Sequence, residues 1–412
     1  MESGARTIIF LILSSALFSC NSAGGGLLAS PGGRLSPGGE MIFNVLSFGA
    51  KPGQIQESTQ AFIKAWHAAC NFNGRVRLLV PPGVYRLSET TFGGPCKSQS
   101  PIIVQVQGTL QAVTDLSAYT GKGWISFSNV NGLTLTGGGT FDGQGRSLWR
   151  YNDCNNNPDC VHLPASLYFT KVTNAKVKSI KIINAMGFHM HVTNSYLFRA
   201  YRLDITSPAD SPNTDGMHIS RSANVKISRS IVKTGDDCIS IGQGATNVTI
   251  NRITCGPGHG ISVGSLGKLP KELDVQGVIV KNSTLQGTTN GLRIKTYPAS
   301  DPSRASGMLF QDIIMDNVEN PIIINQNYGT KSSKPSLVKI SDVIYQNVRG
   351  TTSSPVAVNL MCSSQAPCQN IHLNNVNLKF QGNLKLTATC TNAQVGYSGI
   401  QIPPPCQSGA SA

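Results

Sequence analysis

Three carboxylates and one imidazole recur in the middle of the chain at a spacing suited to acid–base chemistry. Asp215 and Asp237 are 22 residues apart, and His259 follows Asp237 by another 22. Asp236 adjoins Asp237. Asp215, Asp237 and His259 each stand two residues before a short alternating apolar run: Met217-His-Ile219, Ile239-Ser-Ile241 and Ile261-Ser-Val263. If those runs are strands stacked in register, the three residues are lateral neighbours about 4.8 Å apart. Carboxylates that close cannot all ionise easily. One is driven to hold its proton and can act as a general acid, while its neighbours stay charged and can activate water. Those are the two roles needed to hydrolyse a glycosidic bond with inversion. The next run, Leu292-Arg-Ile294, sends Arg293 and Lys295 outward, on the side of His218, Ser240 and Ser262. Two cations beside an acidic patch predict a substrate that carries a carboxylate, with Arg suited to a planar two-point contact. His189 and His191 alternate one unit earlier and fit a structural role as well as a place on the cleft. Asp142, in Phe141-Asp-Gly-Gln-Gly145, reads as a turn residue.

Such a constellation needs a scaffold that repeats. A pattern of apolar, any, apolar recurs at Leu133/Leu135, Ala175/Val177, Phe198/Ala200, Val225/Ile227, Val248/Ile250, Val278/Val280, Met308/Phe310, Val338/Ile340 and Ile371/Leu373. Each unit carries a second alternating run further on. Alternation with period two means strands with one buried face. Short strands in units of 20 to 30 residues, separated by Gly, Asn and Ser turns, indicate a stacked solenoid. The expected fold is all-β, a right-handed single-stranded parallel β-helix over residues 41–406. Before it, Ser58 to Cys70 has helical spacing, with Ser58 or Thr59 as N-cap and Ala61, Phe62, Ala65, Trp66 and Ala69 on one apolar face. This short helix is expected to cap the open end of the solenoid.

The rest of the composition sets the compartment and the partners. Charged residues make up only 13% of the 412, and the net charge is +14. A basic balance favours acidic partners, and the cations are spread rather than clustered, which speaks against nucleic acid. Residues 1–22 read as a signal peptide, with Arg6 before an apolar run from Ile8 to Phe18. No later stretch approaches the roughly 20 apolar residues of a membrane span, so a mature form off the membrane is expected. Residues 23–40 read as flexible and 407–412 as a loose tail. Removing Cys20 with the signal leaves ten of the eleven cysteines. Five close pairs fit local disulfides in an oxidising compartment: Cys70 with Cys96, Cys154 with Cys160, Cys238 with Cys255, Cys362 with Cys368, and Cys390 with Cys406. No pair has zinc-site spacing, so metal binding by cysteine is not expected. Asn247 and Asn282 stand in N-glycosylation sequons.

At these residues the chain closely resembles the polygalacturonases, the pectin-hydrolysing glycoside hydrolase family. The motifs that carry the resemblance are Asn213-Thr-Asp215, Gly235-Asp-Asp237, Gly258-His-Gly260 and Arg293-Ile-Lys295, in the family's order and spacing, with Tyr328 matching its downstream tyrosine. The resemblance covers roughly residues 42 to 406. It implies a pectin-lyase-like β-helix and metal-free, cofactor-free hydrolysis of α-1,4-galacturonan with inversion, in a secreted monomer acting on the cell wall. It implies Asp236 as general acid, Asp215 and Asp237 as the groups that activate water, and His259 as modulator of the acid. Asn213, Arg293, Lys295 and Tyr328 are implied as substrate contacts. The plant-like sequences Phe43-Asn-Val-Leu-Ser-Phe-Gly-Ala50 and Gly258-His-Gly-Ile-Ser-Val-Gly-Ser-Leu-Gly267 are most like the pollen-type exo-acting enzymes. One departure lies beside the site: Gly329 follows Tyr328 where many relatives have Cys. Exo action would need a block at one end of the cleft, and the insertion from Ser147 to Leu163 is the candidate. An endo-acting hydrolase, a non-catalytic pectin-binding wall protein and a calcium-dependent pectate lyase are the alternatives.

Overall fold

The computed structural model describes residues 32–98, 100–152, 162–329 and 332–406. Among them the chain winds into a right-handed parallel β-helix. One sheet is built from short strands, among them Met190–Thr193, Met217–Ser220, Ile239–Ile241, Ile261–Leu266, Asn290–Thr296 and Asn320–Asn325. Their register is continuous: Met190 pairs with Met217, Met217 with Ile239, Ile239 with Ile261, Ile261 with Leu292 and Leu292 with Ile322. The expected alignment of the second runs is therefore the observed one.

The other sheet differs from expectation. Its strands are long, 10 to 16 residues from Thr173 to Thr352, rather than short. Each bends in its middle at a residue in the left-handed region: Ser179, Arg202, Arg229, Arg252, Asn282, Asp312 or Asn347. A left-handed residue turns the strand without ending its ladder, so a pattern that breaks in sequence continues in hydrogen bonding. Asn282, one of the two candidate glycosylation sites, is one of these bends, and Asn247 lies on a neighbouring strand; both are exposed.

One repeat assignment is corrected. Met308 and Phe310 pair with Val343 and Tyr345, which pair in turn with Ile371 and Leu373. Val338 and Ile340 instead pair with Ser303 and Ala305. Strand Val338–Thr352 contains several apolar pairs at period two, and sequence alone does not say which pair stacks.

Inside the solenoid like stacks on like. Phe92, Phe127, Phe169 and Phe198 follow one another with ring centroids 5.2, 5.2 and 5.0 Å apart. The helix Thr59–Asn71 covers the first coils as expected, with Phe62 and Trp66 1% exposed and the Trp66 indole donating to Gly93 O at 2.9 Å. Ser58 is its N-cap residue, but its hydroxyl bonds Lys51 rather than the helix. Within the segment expected to be flexible, Gly33–Leu35 forms a strand that pairs antiparallel with residues 41–43.

Four of the five expected disulfides are present: Cys70–Cys96, Cys238–Cys255, Cys362–Cys368 and Cys390–Cys406. The fifth expected bridge, between Cys154 and Cys160, is not among them, because Cys154 and Cys160 both lie outside the described residues. The residues expected to form a signal peptide, 1–22, and a loose tail, 407–412, lie outside them too.

Candidate active site

Asp215, Asp236, Asp237 and His259 occupy the turns that lead into three adjacent short strands. Backbone bonds lock these turns rung to rung. Gly216 N donates to Asp237 O (2.9 Å), His259 N to Asp236 O (2.8 Å) and Cys238 N to Gly260 O (2.8 Å). Gly260 has φ +84°, and a Cβ there would lie 2.0 Å from Asn290 O, so only glycine lets the rungs close this tightly. The Cys238–Cys255 disulfide joins the rung of Asp237 to the strand that leads to His259.

The three carboxylates have different surroundings. Asp237 is 1% exposed; its Oδ1 accepts from Arg293 (2.7 Å) and Ser262 Oγ (2.7 Å), and its Oδ2 from Lys295 Nζ (2.8 Å). Burial pushes its carboxyl up, but Lys295, Arg293 and the hydrogen bonds outweigh that and hold it below the usual carboxylate range. Asp215 is also buried. Burial, then the charges of Asp236 and Asp237, hold its carboxyl well above the usual range, against a hydrogen bond from Ser240 Oγ to its Oδ2 (2.6 Å). His218 Nδ1 meets Ser240 Oγ at 2.8 Å. Because Ser240 donates to Asp215, His218 must donate to Ser240, which fixes its tautomer. Burial, with Lys295 adding to it, lowers the His218 pKa to about 4, so the ring is neutral at physiological pH. Asp236 has its Oδ1 3.0 Å from His259 Nδ1 and accepts from the backbone N–H of Asp237 at 2.7 Å.

These groups line or underlie a cleft of about 490 Å³. Asp215, Asp236, Asp237, Asn213, Lys295 and Tyr328 reach its wall; Arg293 and His259 do not. Arg293 is 9% exposed, and its guanidinium already donates to Ser262 Oγ (2.9 Å) and Asp237. The expected free fork for a substrate carboxylate is thus engaged within the protein. The Tyr328 ring lies 4.9 Å from Lys295 Nζ and meets Tyr297 edge-on at 5.6 Å. Asn213 receives no strand support; its amide donates to Asn152 Oδ1 at 2.7 Å. His191 lines the cleft, while His189 is buried and bonded to Ser207 and to backbone carbonyls, a structural role. Asp142 accepts from Gln144 N and Asn184, as a turn residue does.

Sequence reasoning missed Lys122, Phe188, Lys268 and Tyr297, all on the cleft. Lys122 and Lys268 stand in loops without motif or periodicity, so no sequence signal marks them. Asp236, Asp237 and His259 also form the only grouping of metal-ligating type among the described residues. Lys295 and Arg293 already neutralise Asp237 there, so a third cation would meet two fixed positive charges and the set fits a metal poorly.

A parallel β-helix with buried carboxylates in unlike surroundings on one cleft fits acid–base hydrolysis, and comparison with known proteins supplies the class. The family described as "Glycosyl hydrolases family 28" matches residues 70–399. The chain belongs to that family and is a glycoside hydrolase. It is 43% identical to an exopolygalacturonase of Platanus acerifolia over 368 residues, 88% of this chain and 97% of that protein. It is also 43% identical to an exopolygalacturonase of Oenothera organensis over 361 residues, 86% and 99% of the two chains. Among solved structures, the endo-xylogalacturonan hydrolase from Aspergillus tubingensis aligns with TM-score 0.75 and 26% identity over 87% of this chain and all of that one. An exopolygalacturonase from Thermotoga maritima, 19% identical, shares the fold with TM-score 0.68 over 86% of this chain and 90% of its own.

Proposed function

We propose that the protein is a secreted polygalacturonase that hydrolyses α-1,4-galacturonosidic bonds of pectin with inversion, releasing units from chain ends. The observation that carries this reading is the acid–base set on three adjacent rungs, Asp215 on the first, Asp236 and Asp237 on the second and His259 on the third, with the Asp237 carboxyl held low by two buried cations and that of Asp215 held high by burial and its charged neighbours. The names of the plant relatives supply the substrate class. Asp236, on the open cleft beside His259, donates the proton to the leaving oxygen. Asp237 and Asp215 orient the attacking water and take its proton as its oxygen bonds the anomeric carbon, and His259, 3.0 Å from Asp236, modulates that acid. Lys295, Tyr328 and Asn213 contact the sugar at the cleavage point, with Lys295 pairing its carboxylate. Arg293 acts through Asp237 by holding it in place.

The raised carboxyl of Asp215 supports a second reading, in which Asp215 is the proton donor. A galacturonide with a good leaving group needs no proton on departure. The donor's Asn variant therefore keeps most of its rate on such a substrate, and the water-activating residue's variant does not. Retained rate in Asp236→Asn supports the first assignment; retained rate in Asp215→Asn supports the second.

Exo action draws support from the insertion at residues 147–163. Its described ends reach the cleft, through Asn152 bonded to Asn213 and Pro212 O, and through His162 and Leu163 on the wall. The deciding assay is product analysis on polygalacturonic acid with EDTA present. Early monomer with slow viscosity loss is expected. Mixed oligomers with a fast viscosity drop would make the enzyme endo-acting, unsaturated products a lyase, and no products a binding protein.

A further inference from the structure

The charge of the molecule is concentrated away from the cleft. Strands Thr173–Ile183, Tyr196–Thr206, Ala223–Lys233 and Thr246–Cys255 carry nine Lys and Arg against one acid, Asp204. Six of these cations form two columns. Lys176 pairs in register with Arg199, and Arg199 with Lys226. Arg202, Arg229 and Arg252 repeat at the bends of three successive strands. All six are exposed, and none enters an ion pair among the described residues. None lines the cleft. Arg229 precedes Asp236 by seven residues of mostly extended chain, about 20 Å at the usual rise.

Like charges directly opposite one another on adjacent strands destabilise a sheet. Two uncompensated columns at rung spacing are therefore a cost to the free protein that a polyanion laid along the stack would relieve. We propose that this face is a second, non-catalytic docking surface for polygalacturonate, a polymer with one carboxylate per sugar, on the same coils that carry the acid–base set. Tyr196, 46% exposed at the head of one of these strands, offers a flat ring for a sugar beside the charges. The inference rests on the polygalacturonase reading for its choice of polymer. Docking here holds the enzyme on the wall polymer between cleavage events without occupying the cleft.

The test uses the full chain and separates the two ideas. Arg199→Gln, Lys226→Gln and Arg229→Gln are combined in an Asp236→Asn background, so that polymer is not consumed, and binding to polygalacturonate is measured at low and high salt. The dissociation constant is expected to rise about tenfold at low salt, with the difference fading as salt screens the face. The melting temperature should not fall, because repulsion has been removed. In the otherwise native sequence the same triple substitution leaves turnover of trigalacturonate unchanged. Unaltered polymer affinity would overturn the proposal. So would equal affinity of the Asp236→Asn protein for fully methyl-esterified pectin, or tighter binding to phosphatidylserine vesicles or duplex DNA at equal charge. Failure of the native protein to cleave trigalacturonate would instead overturn the activity itself, and is read in a separate assay.

Discussion

Replacing Lys295 by Met removes one of two cations from a carboxylate with nowhere else to turn. Asp237 is 1% exposed, and its Oδ2 has Lys295 as its one hydrogen-bond donor, at 2.8 Å. Losing one partner of a buried pair costs about 3–5 kcal/mol. Arg293 and Ser262 still hold Oδ1, both at 2.7 Å, so the lower end, about 3 kcal/mol, is expected. For a domain of this size that is a drop of about 4 °C in melting temperature. The sign with pH follows from the depressed carboxyl of Asp237. Its contribution to stability is present above the unfolded value, about 3.9, and is lost as pH falls through the still lower folded value. The gap between native and variant protein should therefore be full at pH 7 and close in strong acid. Adding Asp237→Asn to Lys295→Met removes the stranded charge and should restore about 2 kcal/mol, since an absent pair costs less than a broken one. Urea melts of the native protein, the single variant and the double variant, each over a pH series, measure all of this. A Lys295→Met loss below about 1 kcal/mol at pH 7, or no recovery in the double variant, would refute the account of a charge held by its two cations.

Three further outcomes are expected. Asp236→Asn keeps size and hydrogen bonding but cannot donate a proton, so kcat on polygalacturonate should fall about 10²–10⁴-fold with unchanged melting temperature; a near-native rate would end its assignment as donor. Ser240→Ala removes a hydrogen bond that favours the ionised form of Asp215, whose carboxyl already lies above the usual range. The acid limb of kcat/KM should move to higher pH, with about tenfold loss on that limb, and Ser240→Thr should restore it; an acid limb that stays in place removes Asp215 from the water-activating role. Gly329→Ala puts a Cβ 2.5 Å from Tyr297 Cε1, at φ +80°, and must displace the ring that meets Tyr328. KM should rise several-fold with kcat little changed; an unaltered KM would show that Tyr297 and Tyr328 do not shape the sugar site.

The grouping of Asp215, Asp236, Asp237 and His259 was legible in sequence because a solenoid converts numbering into position. Equal intervals between Asp215, Asp237 and His259 became equal places on successive rungs. The same logic misplaced Val338/Ile340, where one strand offers several apolar pairs at period two and a long loop precedes it. The partners of Asp237 were not legible, because Arg293 and Lys295 lie 56 and 58 residues away and their reach depends on side-chain direction. They were expected to face substrate, whereas Arg293 is spent inside the protein. Lys122 and Lys268 come from loops, whose course obeys no period. The bend residues were hidden for a different reason: Asn and Asp tolerate the left-handed region without glycine, and Arg202, Arg229 and Arg252 adopt it with no residue type that announces a bend.

The ladder of backbone bonds between Asp215, Asp237 and His259 has a consequence for how such a site can change over generations. The separation of Asp215 from Asp236 and Asp237 is set by the step between rungs, so it can take only stepwise values. A residue lost inside a strand would turn its whole outward row into the core, whereas residues gained in a turn leave the rungs where they are. Reaction geometry and substrate choice are thereby written in different parts of the chain. Loops such as the one ending at Leu163 are free to lengthen, shorten or acquire charge, and can remodel which polymer enters and from which end, while the distance that decides the chemistry is inherited intact.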